Sequence, residues 1–341
     1  MPKVSFILPV FNGAAFLAQT IDSIISQTFK DWELIAINDG STDGSEKILR
    51  EYAAQNPRVR IISRENRGLI YTLNEAVQSA RGIWLARIDA DDICLPDRID
   101  KQLAWAEKEN ADLCGGIIER IGQGPGHSWV FPSSTTGIYT WLLFRSAFAH
   151  PTIIIKRDLA LKFPYSQEFM HAEDYELWTR LALANVPMTN IPEKVLLYRV
   201  HNEQVSTSKK DAQTDTRVRI TKKYWENSPL TRGMSLIPCL VDERKPISRK
   251  DFCQVIHQLQ ILIEQTRDCQ AKAAIMQHLT WFLYRSMHLD CKTVFSVMKP
   301  LPLSSTKKAV ITLLTILKAG FIIDYCRNAA WIRWFPLKWF F

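Results

Sequence analysis

The 341-residue sequence predicts an α/β protein, a Rossmann-like, mostly parallel sheet flanked by helices, with a helical C-terminal extension. Three observations carry that expectation. Short apolar, β-branched runs alternate with helical patterns through the first hundred residues. Those runs are nearly continuous in apolar character, as strands buried on both faces are. Beyond about Val205 the alternation gives way to a polar linker and helix-forming sequence. Composition sets the outer bounds: 47% hydrophobic and 23% charged residues suffice for one good-sized core and a second smaller unit, and exclude a disordered chain.

Val4-Ser5-Phe6-Ile7-Leu8 opens as a strand that Pro9 interrupts, and a helix comes next with Phe16, Thr20, Ile21, Ile24 and Ile25 on one face. Glu33-Leu34-Ile35-Ala36-Ile37 is a second strand ending at Asn38-Asp39-Gly40. Ser45 or Asp43 caps a helix that runs through Ala54 until Asn56-Pro57 stops it. Val59 to Ile62 is a third strand and Gly68 to Ala80 a third helix. Gly82 then turns into Ile83-Trp84-Leu85-Ala86-Arg87-Ile88, a buried parallel strand. After Pro96 the pattern gives a charged helix, a stretch from Leu113 to Ile121, a loop at Gly122-Gln123-Gly124-Pro125-Gly126 and a strand from Thr152 to Lys156. The expected boundary divides 1–205 from 206–341.

A net charge of +8 points to an anionic partner, and nucleic acid, a phosphate-bearing ligand and an acidic membrane surface all qualify. The seven cysteines include no Cys-x-x-Cys pair, unlike a disulfide framework or zinc site, so a reducing cytoplasm is expected. Because Pro9 breaks the opening apolar run before it could serve as a secretory core, no export is expected.

Chemistry concentrates at the strand ends, where open α/β sheets bind ligands. Asp89-Ala90-Asp91-Asp92 comes directly after the most apolar strand. Isolated, Asp91, Asp92 and Asp97 would read as solvated turn acids, but their position after a buried strand favours a divalent-cation site. If the strand continues, alternate residues share a face, so Asp89 and Asp91 look into one site while Asp92 caps the following turn.

Several motifs in order make the N-terminal region resemble a family-2 glycosyltransferase of the GT-A fold. Val4 to Asn12 is similar to that family's first strand and nucleotide loop, implying donor contacts at Pro9, Val10 and Asn12, although Gly13 and Ala14 stand where many members carry an acid. Asn38-Asp39-Gly40-Ser41-Thr42-Asp43-Gly44 resembles the second loop, implying that Asp39 accepts a hydrogen bond from the base. Asn66-Arg67-Gly68, with Asn74 beyond it, resembles the third, placing Asn66 and Gly68 at the donor, with Arg67 on phosphate or in solvent. Within the Asp-rich motif the resemblance and the alternation together assign Asp91 to the metal and Asp89 to the donor ribose.

Downstream of His150-Pro151-Thr152, Glu173-Asp174 opens a helix and resembles the catalytic-base motif. The resemblance implies Asp174 as base and Glu173 as the residue orienting it or the acceptor. Tyr198-Arg199-Val200-His201, with Ser206 beyond it, is similar to a segment that closes over the diphosphate, implying Arg199 at the donor and His201 at the metal. The reaction that the resemblance implies is inverting transfer from a nucleotide-diphospho-sugar, UDP-sugar favoured, to a glycan or glycolipid acceptor with Mn2+ or Mg2+. The 1–95 half would bind the donor, the 96–205 half the acceptor.

From Leu301 the chain holds six cations (Lys307, Lys308, Lys318, Arg327, Arg333 and Lys338) against one acid, Asp324, interleaved with aromatic residues. Ala309 to Ile323, broken by Lys318, falls short of the roughly 20 residues a span needs. An interfacial helix is expected, holding the protein peripherally at the inner face of the plasma membrane, against the alternative of a core-packing tail. A metal-dependent nucleotidyltransferase lacks its Gly-rich basic loop near Pro9. A dehydrogenase lacks Gly-x-Gly-x-x-Gly, and a non-catalytic sugar-nucleotide binder would not need Asp91 and Asp174 together. Nucleic acid is disfavoured, because the basic residues cluster in an apolar tail.

Overall fold

The computed structural model describes residues 1–122, 128–201, 210–286 and 289, so most of the Gly122 to Gly126 loop, Ser206 and the basic aromatic tail lie outside the described residues. Two compact units divide the chain, 1–220 and 221–341.

The first unit is built on one sheet. Strands β1 (Val4–Val10), β2 (Trp32–Asp39), β3 (Val59–Arg64) and β4 (Trp84–Arg87) pair in parallel in the order β3-β2-β1-β4. Helices α1 (Ala14–Ile25), α2 (Ser45–Gln55) and α3 (Leu69–Ser79) make the crossovers. All of β2 is buried, as is all of β1 but Pro9, which is why their sequences read as nearly continuous apolar runs. Glu33, near the start of β2, accepts from Ser5 Oγ (2.7 Å), the Arg81 N–H (2.8 Å) and Arg60 (3.0 Å), so its buried carboxylate is paired.

Beyond β4 the sheet becomes mixed. It continues through β8 (Ile154–Lys156), antiparallel to both neighbours, to β6 (Leu113–Gly122) and then β9 (Met188–Val200), parallel to β6. Short β5 (Ile93–Cys94) closes this side antiparallel to β9, and β7 (Ser128–Trp129) pairs with β6. Helices α4 (Arg98–Lys108), α5 (Thr135–Trp141), α6 (Arg157–Lys162) and α7 (Glu173–Leu183) complete the unit.

Three local expectations are corrected. The first strand does not stop at Pro9 but runs to Val10; pairing with β4 ends at Ile7, so a residue without an N–H interrupts no ladder on that side. Helix α1 buries Leu17 rather than Phe16, whose half-exposed ring turns to the candidate site. Ser45 does not cap its own helix: its Oγ accepts from the Gly13 N–H (3.0 Å). The Asp43 carboxylate accepts from Ser45 N (2.9 Å) and Ala14 N (3.0 Å) and so serves the starts of both α2 and α1.

Helix α8 (Lys210–Asn227) runs from the first unit into the second. There α9 (Arg249–Gln265) is N-capped by Ser248 and buries Phe252, Val255, Ile256, Leu259 and Leu262, an i, i+3, i+4 stripe. It packs on α10 (Cys269–Arg285), with Phe252 stacked on Phe282 at 6.1 Å between ring centroids. Among the described residues no helix is long and apolar enough to cross a membrane.

Candidate active site

Two loops at the carboxyl ends of β1 and β2 form the first part of the site. Asn12 sits at φ 51°, which its short polar side chain tolerates, and its Oδ1 accepts from the Thr42 N–H (2.8 Å) while its own N–H donates to Ser41 Oγ (3.0 Å). Asn12 therefore locks the two loops together. Asp39, at the end of β2, takes the N–H groups of Arg67 (2.8 Å) and Gly68 (2.9 Å) and an ion pair from Arg64. Its Oδ2 carries one of these donors and retains a lone pair. Gly40 (φ +74°) lies so close that a Cβ there would meet Asn66 N at 2.6 Å, whereas above Gly68 (φ +84°) nothing lies within 4 Å. Asn66 is exposed, and Pro9 and buried Val10 stand at the end of β1.

Asp89 to Asp92 form a turn, with Asp92 N donating to Asp89 O at 3.3 Å, and not a continued strand. Strand alternation thus does not sort these carboxylates. The turn brings all three together, Asp89, Asp91 and Asp92 each offering an oxygen within 4.8 Å of the others. Asp92 does not cap a turn at the surface: it is fully buried, Oδ1 accepts from the Arg199 N–H (3.0 Å), and Oδ2 has no partner. Burial first, and then the charges of Asp89 and Asp91, push its carboxyl well above the ordinary carboxylate range.

The turn is gripped from two sides. Thr20 Oγ1 of α1 lies 3.0 Å from Ala90 O and 2.8 Å from Asp92 O. From the end of β9, Arg199 Nε donates to Asp91 O (2.9 Å) and Nη2 to Gln19 Oε1 (2.8 Å), with the guanidinium 4.3 Å above the Phe16 ring. His201 comes two residues later, its Nε2 2.9 Å from Asp91 Oδ2 and its ring 5.5 Å from that of Phe16. The structure therefore brings Asp91 and His201 side by side, and puts the Arg199 guanidinium on the turn itself.

Helix α7 brings the remaining carboxylates. The Asp174 charge is felt at Asp89, which joins the start of α7 electrostatically to the turn. Burial first, then the Glu173 charge, push Asp174 up to about 7, against the Tyr175 N–H and the Arg87 cation. Glu173 is itself buried and pushed up by that burial. A carboxylate poised near neutrality can accept a proton at physiological pH, which an ordinary Asp does poorly.

Several groups here were not anticipated. Arg87, 4% exposed, pairs with Asp89. His150 Nε2 meets Tyr165 Oη at 2.8 Å, and burial, with the nearby Arg87 charge, holds His150 well below its ordinary range and hence neutral. Tyr198 stacks on half-exposed Trp129 (5.7 Å) and is pushed up to about 12 by burial and then by the three Asp charges. In the sequence His150 and Tyr198 stood inside quoted motifs without a role of their own, and Arg87 showed as a charge within an otherwise apolar buried run.

The pattern of glycosyl transferase family 2 matches residues 5–163. The O-antigen biosynthesis glycosyltransferase WbnJ of Escherichia coli is 33% identical over 213 residues, 61% of this chain and 84% of that protein. An uncharacterized glycosyltransferase of Haemophilus influenzae is 30% identical over 236 residues, 65% and 73% of the two chains. Among solved structures, S. aureus TarS 1–349 in complex with UDP is similar with a TM-score of 0.55 at 15% identity, covering 96% of this chain and 93% of that one. The mannosyltransferase PcManGT from Pyrobaculum calidifontis, in complex with GDP-Man and Mn2+, gives 0.50 at 17%, covering 96% and 88%. At these identities the two structures speak for the shared fold.

Proposed function

Because the chain belongs to glycosyl transferase family 2, we propose that it transfers a sugar with inversion from a nucleoside-diphosphate donor to an acceptor hydroxyl in cell-envelope polysaccharide or lipid-linked glycan synthesis. The observation that carries this reading is the joining of the Asp89–Asp92 turn to Asp174 at one end of the sheet. WbnJ, named for O-antigen biosynthesis, supports the polysaccharide setting. Neighbours in complex with UDP, UDP-GlcNAc and GDP-Man support a nucleotide-sugar donor, UDP-sugar favoured.

In this reading the Asn12-braced loops, Pro9, Val10, Asp39, Asn66 and Gly68 receive the nucleoside, with Asp39 Oδ2 accepting from a ring N–H. Asp89 lies on the ribose side. The donor set fits a divalent ion: clustered carboxylates, one buried oxygen without a partner, and an imidazole on Asp91. Asp91 and His201 would hold Mn2+ or Mg2+, whose chemistry when bound is to neutralise charge on the leaving diphosphate. Arg199 serves the donor indirectly, by fixing the turn through the Asp91 carbonyl and the Asp92 carboxylate.

Asp174 takes the proton of the acceptor hydroxyl as that oxygen bonds to the anomeric carbon from the face opposite the diphosphate. The bond from that carbon to the diphosphate oxygen breaks, and the configuration inverts. Glu173, buried beside Asp174, orients the base or the acceptor and raises its proton affinity. A nucleotidyltransferase would use the turn on an α-phosphate but gives Asp174 no task.

The direct test is thermal shift against UDP- and GDP-sugars with and without Mn2+, since a ligand that binds only the folded protein raises its melting temperature. A Mn2+-dependent rise with at least one donor is expected; none across the panel would contradict the reading. The basic aromatic tail is proposed to lie on an anionic membrane surface. Co-sedimentation of the full chain with phosphatidylglycerol vesicles, lost on deleting residues from Lys307 onward, is the expected result. A full chain that ignores such vesicles removes the proposal.

A further inference from the structure

We propose that Phe16 is a positioning residue, the ring of α1 against which Arg199 and His201 are set so that the imidazole stands beside Asp91. The inference rests on the transfer reading of this site and on its assignment of His201 to the metal. Phe16 lies in the first turn of α1, and that turn is pinned. The Gly13 N–H donates to Ser45 Oγ (3.0 Å), the Ala14 N–H to Asp43 Oδ2 (3.0 Å) and the Phe16 N–H to Gly13 O (3.1 Å). The backbone that carries the ring is therefore fixed to the connection between β2 and α2.

A helix on a sheet turns its apolar residues to the core, and α1 does so with Leu17, Ile21 and Ile24. Phe16 is left out of that stripe. Its ring is half-exposed and faces two side chains brought in by the end of β9. The Arg199 guanidinium sits 4.3 Å above its centroid, and the His201 ring lies 5.5 Å away at an interplanar angle of 43°. Arg199 and His201 are alternate residues of an extended segment, so they leave it on the same side and reach the same phenyl.

The spacing along α1 extends the contact. Phe16, Gln19 and Thr20 stand at i, i+3 and i+4, on one face of the helix. Gln19 Oε1 accepts from Arg199 Nη2 (2.8 Å), and Thr20 Oγ1 meets the carbonyls of Ala90 (3.0 Å) and Asp92 (2.8 Å). One helix face thus holds both the Asp89–Asp92 turn and the residues that come over it from β9.

The imidazole depends on the ring more than the guanidinium does. Arg199 is also tied through its N–H to Asp92 and through Nε to Asp91 O. His201 is about a quarter exposed, and its Nε2 lies 2.9 Å from Asp91 Oδ2. One polar contact fixes an atom of a ring but not its plane; the Phe16 ring is the second contact, and the two together set the plane. Groups that orient a metal's ligands carry roughly ten- to a hundredfold in metal affinity.

Thermal shift of the full chain with UDP across a Mn2+ series tests this without any transfer, because the UDP-dependent rise reports binding to the folded protein. In Phe16→Leu, which keeps apolar bulk but no ring, the Mn2+ giving half the maximal rise should increase about tenfold or more, and in Phe16→Tyr it should stay within about twofold of wild type. In a His201→Ala background, Phe16→Leu should add nothing further, since both act on one contact. A folded Phe16→Leu protein with the wild-type Mn2+ requirement overturns the proposal, even if it melts lower without ligand, as a purely structural role would have it. An increase of the same size with and without His201 also overturns it. Should Phe16→Leu not fold, Phe16→Met takes its place under the same criteria. If His201→Ala leaves the Mn2+ requirement unchanged, the assignment of His201 to the metal fails and the proposal with it. If His201→Ala raises the requirement and the Phe16 variant does not, this inference alone fails.

Discussion

Replacing Asp174 with Asn is expected to lower transfer by about a hundred- to ten-thousand-fold, the usual contribution of a positioned general base, while leaving donor affinity within a few-fold. The amide matches the carboxylate in shape but cannot take a proton. The same change should stabilise the protein, because burial opposes the charge that catalysis needs. A folded value of about 7 against the ordinary 3.8 means that the folded state binds this proton more tightly than the unfolded chain. The penalty is absent below about pH 4, grows as pH rises, and is complete above about pH 7. At roughly 1.4 kcal/mol per unit it reaches at most about 4 kcal/mol. The Asn variant should therefore melt several degrees above wild type at pH 8 and converge with it at pH 4. Wild-type kcat/KM, which reports the free enzyme, should rise with pH through about 7. An Asn variant that retains transfer removes Asp174 as the base, and one that melts lower at pH 8 removes the strained carboxylate.

Asp91→Ala is expected to cost at least about a hundredfold in metal-dependent transfer, since even changes beside a metal's direct ligands cost ten- to a hundredfold. The fold should survive it. Arg199 holds Asp91 through its backbone carbonyl, and the carboxylate, about a quarter exposed, meets His201. Asp92 is different: it is buried and receives the Arg199 N–H, so its removal would loosen the turn itself. Activity lost in Asp91→Ala and restored by raised Mn2+ would place the defect in metal affinity. Activity unchanged at limiting Mn2+ would exclude Asp91 as a ligand.

Much of this was legible in the sequence, for physical reasons. Strands buried on both faces advertise themselves by unbroken apolar runs, so β1, β2 and β4 could be placed, and with them the loops they aim. The start of α7 at Glu173 was legible because two adjacent acids suit a helix N-terminus. The half after β4 was less so. Its order β8-β6-β9-β5 depends on pairing between distant segments, and β9 had given no period of its own. The Asp-rich motif shows the limit most clearly. Strand alternation would have separated Asp91 from Asp92, whereas the turn gathers them, held by Thr20 and Arg199, 72 and 107 residues away from Asp92. Local rules find a carboxylate; only tertiary contacts orient it.

The central claim is that the Asp89–Asp92 turn and the start of α7 form one metal-dependent site for a sugar nucleotide, divided between donor and base. Calorimetric titration of UDP into wild type, Asp91→Ala and Asp174→Asn, with and without Mn2+, tests it most directly. The account predicts UDP binding that requires Mn2+ in wild type, is lost in Asp91→Ala and is kept in Asp174→Asn. UDP binding that is indifferent to Mn2+ and to Asp91 would contradict it.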